Sequence, residues 1–273
     1  MMELKKEQFH RIEHMLSVDK CNLEIKSVIA LNNPGKVYVD NAREPKSAII
    51  WSKGIGGYYL IGEENNPSFV KGLSQYFDEV IIPQSQDLDY NNIEISGTSE
   101  IWDDILEMTF DNRAGYHKSY QYVYQFQGLK DQEVKRPPLL DGAEVKRVDG
   151  HFLTSDVNNI DFVKNNILEW WASLDLYLEK GIGYCIVYDS KIVASCVTSF
   201  MAGDEMESHI ETVEDYQRKG FAKYLIYEYL KDCKNKNLIP YWDCMATNIG
   251  SYKTAEWHGY KKAFEYPLFT FAI

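Results

Sequence analysis

The stretch Gln217-Arg218-Lys219-Gly220-Phe221-Ala222 has the make-up of an anion-binding turn. A strand is predicted over 206–213. From Ala222 onward, Leu225, Ile226, Tyr229, Leu230 and Cys233 recur at the spacing of one helical face. A short turn between strand and helix leaves the first helical N–H groups without intrahelical partners. Those groups and the positive end of the helix dipole suit a phosphate or pyrophosphate. Arg218 and Lys219 add positive charge at the rim, and Gly220 supplies the conformational freedom of the turn. The strand that leads in is acidic. Alternation puts Glu205, Glu207, His209 and Glu211 on one face and Met206, Ser208, Ile210 and Thr212 on the other. Carboxylates beside an anion-binding turn suit proton abstraction, or the attraction of a cation towards the bound anion.

The turn resembles the acyl-CoA-binding signature of the GNAT acetyltransferase superfamily, Gln/Arg-x-x-Gly-x-Gly/Ala, with Gln217, Gly220 and Ala222 in its defining positions. The resemblance extends over residues 140–273: a helix follows the turn, then a strand over 240–245, then Asn248 and the closing Gly259-Tyr260. Within the superfamily, Glu211-Thr212 through Gly220, with Trp242-Asp243-Cys244 and Asn248, is most similar to the branch that includes zwittermicin-resistance acetyltransferases. The resemblance implies an N-acetyltransferase that moves an acetyl group from the cosubstrate acetyl-CoA to an amine. It implies that Thr212, Val213, Gln217, Arg218, Lys219, Gly220, Phe221, Ala222 and Asn248 contact that cosubstrate. The backbone amides from Arg218 to Ala222 would hold its pyrophosphate.

Acetyl transfer from a thioester needs a deprotonated amine, donors for the tetrahedral oxyanion and a proton for the leaving thiolate. By resemblance, the oxyanion falls to the main chain near Thr212 and Val213. Glu211 is the first candidate base, and Glu207 the second, acting directly or through water. His209 reads as a packed histidine, and the acidic face equally suits simple attraction of a cationic acceptor. The family's usual acid, a Tyr seven residues beyond the Asn, is replaced here by Ala255. Tyr252 lies one helical turn earlier and takes that place as candidate acid, beside a reading as a packing or surface tyrosine. His258 is a weaker candidate. Asn248 suits either the pantetheine arm or the cap of the helix over 251–257. None of the cysteines has a matched histidine base, so direct attack in a ternary complex is favoured over a covalent intermediate. A GNAT fold that binds acyl-CoA without chemistry is the alternative, supported by Ala255. A module whose turn binds another phosphate compound stands behind both.

The elements that must position these groups read as an α/β chain with a mixed, α+β-type sheet. Two domains are expected. An α/β domain over 1–136 covers the acceptor side, mediates a dimer contact or forms a degenerate copy of the same fold, and the GNAT-type domain occupies 137–273. Arg136-Pro137-Pro138 is the expected junction. The N-terminal part reads as an amphipathic helix over 1–17 carrying Phe9, Ile12, Met15 and Leu16, and a second helix over 23–31. Strands are expected over 36–39, 48–52, 58–62, 80–82 and 93–96, with helices over 67–77 and 101–110. A further strand is expected over 120–126. The C-terminal part reads as a strand over 144–148, a helix over 161–178, and a hairpin of 184–188 with 192–200. Gly54-x-Gly56-Gly57 has no helix after it and reads as a hairpin turn.

With a net charge of −12, the chain lacks the basic footprint of a nucleic-acid binder, and an acidic protein suits a cationic small-molecule acceptor such as an aminopolyol or polyamine. Five cysteines without a C-x-x-C pair point to a reducing, cytoplasmic setting. No apolar run has the length of a membrane span or the form of a signal peptide. His10 and His14 have helical metal-ligand spacing but no third ligand, so no metal is expected.

Overall fold

The computed structural model describes residues 1–126 and 133–273. In chain order the elements are β1 (Met2–Glu3), a 3-10 helix (Lys6–Leu16), α1 (Leu23–Ile29), β2 (Gly35–Val39), β3 (Ser47–Ser52), β4 (Gly57–Gly62) and α2 (Pro67–Tyr76). A π-helical turn (Phe77–Ile81) then leads to α3 (Ile82–Gln86), β5 (Asn92–Gly97), α4 (Glu100–Phe110) and β6 (His117–Gln125). After these come β7 (Glu144–Arg147), α5 (Gly150–Leu153), α6 (Ile160–Trp170), α7 (Leu174–Lys180), β8 (Gly183–Tyr188), β9 (Lys191–Ala202) and β10 (Glu205–Thr212). The series ends with α8 (Phe221–Lys236), β11 (Ile239–Met245), α9 (Ile249–His258) and β12 (Lys261–Ala272). This is a mixed α/β fold, with parallel and antiparallel pairs in the same sheet.

Two compact units result, Met1–Tyr122 with Phe264–Ile273, and Val123–Ala263. The division therefore lies ahead of Pro137-Pro138, and residues 264–273 belong with the first unit. The reason is strand pairing: Phe269 to Ala272 of β12 pair antiparallel with β5, and Phe269 and Phe271 enter the first unit's core.

In the first unit the strand order is β1-β2-β3-β4-β5-β12; β2, β3 and β4 form an antiparallel meander and β4 pairs parallel with β5. Its core gathers Tyr38, Ile49, Leu60, Phe69, Phe77, Trp102 and Phe110. Phe9, Ile12 and Met15 are buried at a spacing of three, which matches the 3.0-residue turn of a 3-10 helix better than an α-helix. The segment expected as a strand over 80–82 is instead helical. Ile82 N–H bonds to the carbonyl of Phe77, five residues back, and this wider turn carries the chain up to Pro83, which no regular α-helix interior accommodates without losing a bond.

In the second unit the order is β11-β10-β9-β8-β7, with only residues 123–125 of β6 beside β11, and again there is an antiparallel meander, β8-β9-β10, and a parallel partner, β11, reached through a helix. The single helix expected over 161–178 is two. Trp171 is extended (φ −100°, ψ 152°), and the Ser173 hydroxyl caps α7 by accepting the Leu176 N–H at 3.2 Å. Turning the chain there buries Trp171, whose Nε1 donates to the Thr198 carbonyl at 2.7 Å, and leaves Trp170 on a different side.

Candidate functional site

Helix α8 starts at Gly220, whose φ of +84° is in the left-handed region; Arg218, at +61°, is there too. Alternating the backbone in this way turns successive N–H groups towards one concavity. Among the described residues, no backbone or side-chain acceptor meets the N–H groups of Arg218 through Lys223; the nearest bonds are Gln217 N–H to Glu214 and Tyr224 N–H to Gly220. A Cβ built on Gly220 would meet nothing within 4 Å, so the space above the turn is open. Phe221 is 1% exposed and anchors the helix in the core, leaving only its amide for a ligand. The Gln217 side chain turns back and donates from Nε2 to the Thr212 carbonyl at 3.3 Å, which ties the turn to the end of β10. Lys219 lies over the rings of Tyr216 and Tyr188, at 4.8 and 5.9 Å.

Next to this turn the sheet forks. Parallel pairing of β10 with β11 covers Glu205 to Glu207 and stops at the Glu207–Tyr241 pair. The register of β10 on β9 also slips here, between Met206 and Ser208, the mark of a β-bulge, and the strict alternation expected along the strand is broken: Met206 and Glu207 are both buried. Glu207 sits at the crotch of the fork. Its Oε1 accepts the N–H of Asp243 at 3.1 Å, and its carbonyl accepts the Tyr229 hydroxyl at 3.1 Å. The carboxylate thus takes the place of the next ladder bond on β11, which is a structural use of Glu207.

Beyond the fork, Val213 N–H bonds to the Val193 carbonyl at 2.9 Å, so Val213 is not free to hold an oxyanion, contrary to the expectation for its amide. In an antiparallel ladder that bond fixes the direction of the others: residues 209 and 211 turn their N–H groups towards β9, and residues 210 and 212 turn theirs towards the open side of the fork. The Thr212 and Ile210 amides are the donors placed there.

The two faces of β10 have different covers. On one, Asn166 of α6 donates to Ser195 Oγ at 2.8 Å, and the Trp170 and His209 rings are 5.1 Å apart; Ser195 and Val197 are the β9 partners of Glu211 and His209. This face carries Glu169, Trp170, His209 and the exposed Glu211. Local desolvation on α6 raises the Glu169 carboxyl above its ordinary range although the residue is exposed, and the Glu211 charge adds to it. Burial lowers His209, against the opposite pull of Glu211, so the imidazole is neutral near pH 7. On the other face, the Tyr229 hydroxyl of α8 reaches the Glu207 carbonyl, and the Gly220 turn is open. Glu169 was not legible as part of the site, because it joins Glu211 only through the packing of α6 on β9.

Asn248 caps α9, its Oδ1 accepting the Ser251 N–H at 3.1 Å, so its capping role is realised and its Nδ2 is what remains for a ligand. Tyr252 is half-buried on the same helix, with Lys253 5.3 Å from its ring. Ala255 is fully buried. His258 is 4% exposed, and burial with the neighbouring Lys223 charge brings it down to about 4, so the acidic imidazolium form is absent at neutral pH. All five cysteines are free thiols; burial raises Cys185 and Cys196 to about 12 and also raises Cys233 and Cys244, which removes these four as thiolate nucleophiles. Among the described residues there is no cluster of His, Cys, Asp and Glu able to hold a metal ion, and no helix is long and apolar enough to cross a membrane.

The first unit has a turn in the matching place, between β4 and α2, and it is unsuited to an anion. It carries Glu63 and Glu64, Pro67 at the helix start has no N–H, and the Asn66 side chain accepts the Phe69 N–H at 3.4 Å.

A meander, a forked parallel pair and an unpartnered run of amides at the head of the intervening helix form a mixed α/β fold of the kind that acetyltransferase structures share. The chain belongs to the GNAT acetyltransferase family, whose model matches residues 13–269. It is 24% identical over 269 residues to the uncharacterized N-acetyltransferase YdfB of Bacillus subtilis (strain 168), covering 98% of both chains. Among solved structures, it is similar to a GCN5-related N-acetyltransferase-like protein from Streptococcus suis (TM-score 0.64, 18% identity, covering 96% of this chain and 98% of that one). It is also similar to a tandem GNAT protein from the clavulanic acid biosynthesis pathway (TM-score 0.62, 8% identity, covering 99% and 97%).

Proposed function

We propose that the protein transfers an acetyl group from acetyl-CoA to the amine of a small cationic molecule, by direct attack in a ternary complex. The observation that carries this reading is the run of unpartnered N–H groups from Arg218 to Lys223 beside the fork. The pyrophosphate rests on that turn with Gln217, Arg218, Lys219, Gly220, Phe221 and Ala222, and the pantetheine arm enters the fork past Thr212, with Asn248 Nδ2 at the start of α9. The acceptor comes from the α6 face. Glu211, exposed on that face, takes the ammonium proton directly or through water. The amine nitrogen attacks the thioester carbonyl, the C–N bond forms, and the Thr212 and Ile210 amides receive the oxyanion. The nitrogen then loses its second proton to solvent, the C–S bond breaks, and the thiolate is protonated by solvent or by Tyr252; a thiol pKa near 8.5 makes it a tolerable leaving group. Glu207 serves this reaction by propping the fork. The motif likeness to zwittermicin-resistance acetyltransferases favours an aminopolyol among cationic acceptors, and the free cysteines suit a reducing interior.

Ala255, buried where a family acid would stand, favours a second reading: a GNAT fold that binds acyl-CoA without turnover. Calorimetric titration of acetyl-CoA into wild type and Gly220→Glu tests the shared part. Saturable binding of one equivalent per chain, lost in the variant, is expected; the added carboxylate repels the pyrophosphate, and a side chain at φ +84° costs about 1–2 kcal/mol. No binding by the wild type overturns both readings, and binding without acetylation of any amine in a screen leaves the second.

A further inference from the structure

Two lysines converge on one indole close to the phosphate turn. Lys135 Nζ lies 4.7 Å and Lys223 Nζ 4.9 Å from the centre of the Trp257 ring. They come from distant parts of the second unit: Lys135 precedes β7, Lys223 is in the first turn of α8, and Trp257 is in the last turn of α9. Among the described residues, neither lysine is paired with a carboxylate, although the chain has 41 Asp and Glu against 29 Lys and Arg. The segment carrying Lys135 is fastened to α8, because Arg136 donates to the Tyr224 hydroxyl at 2.9 Å. Lys223 is three residues beyond Gly220, a rise of about 4.5 Å along the helix. Lys223 therefore lies within one helical turn of Gly220, and Lys135 meets it at the same indole.

An indole face takes a planar ring, and paired ammonium groups take a phosphate monoester. We propose that Trp257, Lys135 and Lys223 seat the nucleotide end of the acyl-CoA, the purine against Trp257 and the ribose 3′-phosphate on the two lysines. This rests on the acyl-CoA reading of the Gly220 turn. The lysines make the site selective for a 3′-phosphorylated donor over one bearing the pyrophosphate alone; before the ligand arrives they rest on the indole, and the phosphate draws them off it as the purine takes the ring.

The test is calorimetric titration of CoA and of 3′-dephospho-CoA into wild type, Lys135→Ala, Lys223→Ala and Trp257→Ala. Wild type should bind CoA about tenfold or more tightly than 3′-dephospho-CoA, the ratio worth about 1.4 kcal/mol. Each lysine variant should lose several-fold for CoA and leave 3′-dephospho-CoA unchanged, and Trp257→Ala should weaken both. Equal affinity of wild type for the two ligands, or equal losses for both in the lysine variants, overturns the assignment while the Gly220 site stands. Failure of wild type to bind either one overturns the acyl-CoA reading and this assignment with it.

Discussion

His258 makes the stability of the second unit depend on pH in a calculable way. Its ring is 4% exposed, and burial together with the Lys223 ammonium brings it down to about 4 from 6.5. Between those values the unfolded chain binds a proton that the fold rejects. The sign is therefore fixed: stability falls as pH drops from about 6.5 to about 4 and is level above that window. A gap of about 2.5 pH units at 1.36 kcal/mol each gives about 3 kcal/mol. For a unit of this size that corresponds to roughly 6–12 °C in Tm. His258→Phe keeps a ring against Trp257, whose ring lies 4.6 Å away, and removes the proton site. Thermal unfolding of both proteins by near-ultraviolet circular dichroism, from pH 7 to pH 4, reads the effect as a difference in slope. Every other titrating group is shared, so its contribution cancels in that difference. The variant should lose less of its midpoint on acidification than wild type, whatever its midpoint at pH 7. Parallel curves would refute the claim that the fold holds His258 neutral.

Two further predictions concern catalysis and the first unit. Glu211→Gln should lower kcat by roughly 10²–10⁴-fold, with acetyl-CoA affinity nearly unchanged by calorimetry; an equal loss of both would remove Glu211 as the base. Asp103, raised to about 7 chiefly by burial, has the opposite sign to His258. The fold keeps its proton up to about pH 7 while the unfolded chain releases it near 4, so stability present at low pH is lost as pH rises through that window, by up to about 4 kcal/mol. Asp103→Asn should flatten the urea midpoint between pH 4 and 8, and an unchanged pH dependence would show that the carboxyl ionises freely in the fold.

What was legible in the sequence is what short windows encode. Gly220 between basic residues and a 3.6-residue apolar period announces a turn and a helix, because both depend on neighbours within one or two turns. The β-bulge was not legible, since it exists only in the pairing of β10 with β9, and with it went the placement of Glu207 at the fork instead of on an open face. The same limit explains Val213, whose amide is engaged by Val193, twenty residues earlier in the chain. Asn248 was ambiguous because a cap and a ligand contact ask for the same side chain. Phe9, Ile12 and Met15 mark a buried helical face, which with Leu16 reads in the sequence as an ordinary amphipathic helix; their spacing of three is the 3-10 period. The helical turn over Phe77–Ile81 was misread because a short apolar run before Pro83 fits a strand as well as a helix.

The membership of β12 in the first unit has a consequence for synthesis. The partner for the edge of β5, and the rings of Phe269 and Phe271 that complete that core, lie beyond the whole of Val123–Ala263 in the chain. At about 5–20 residues per second, a ribosome takes on the order of ten seconds to supply them. During that interval the first unit carries an open strand edge and a gap in its core, the kind of surface on which nascent chains pair wrongly or recruit chaperones. The unit translated first is thus the one that closes last.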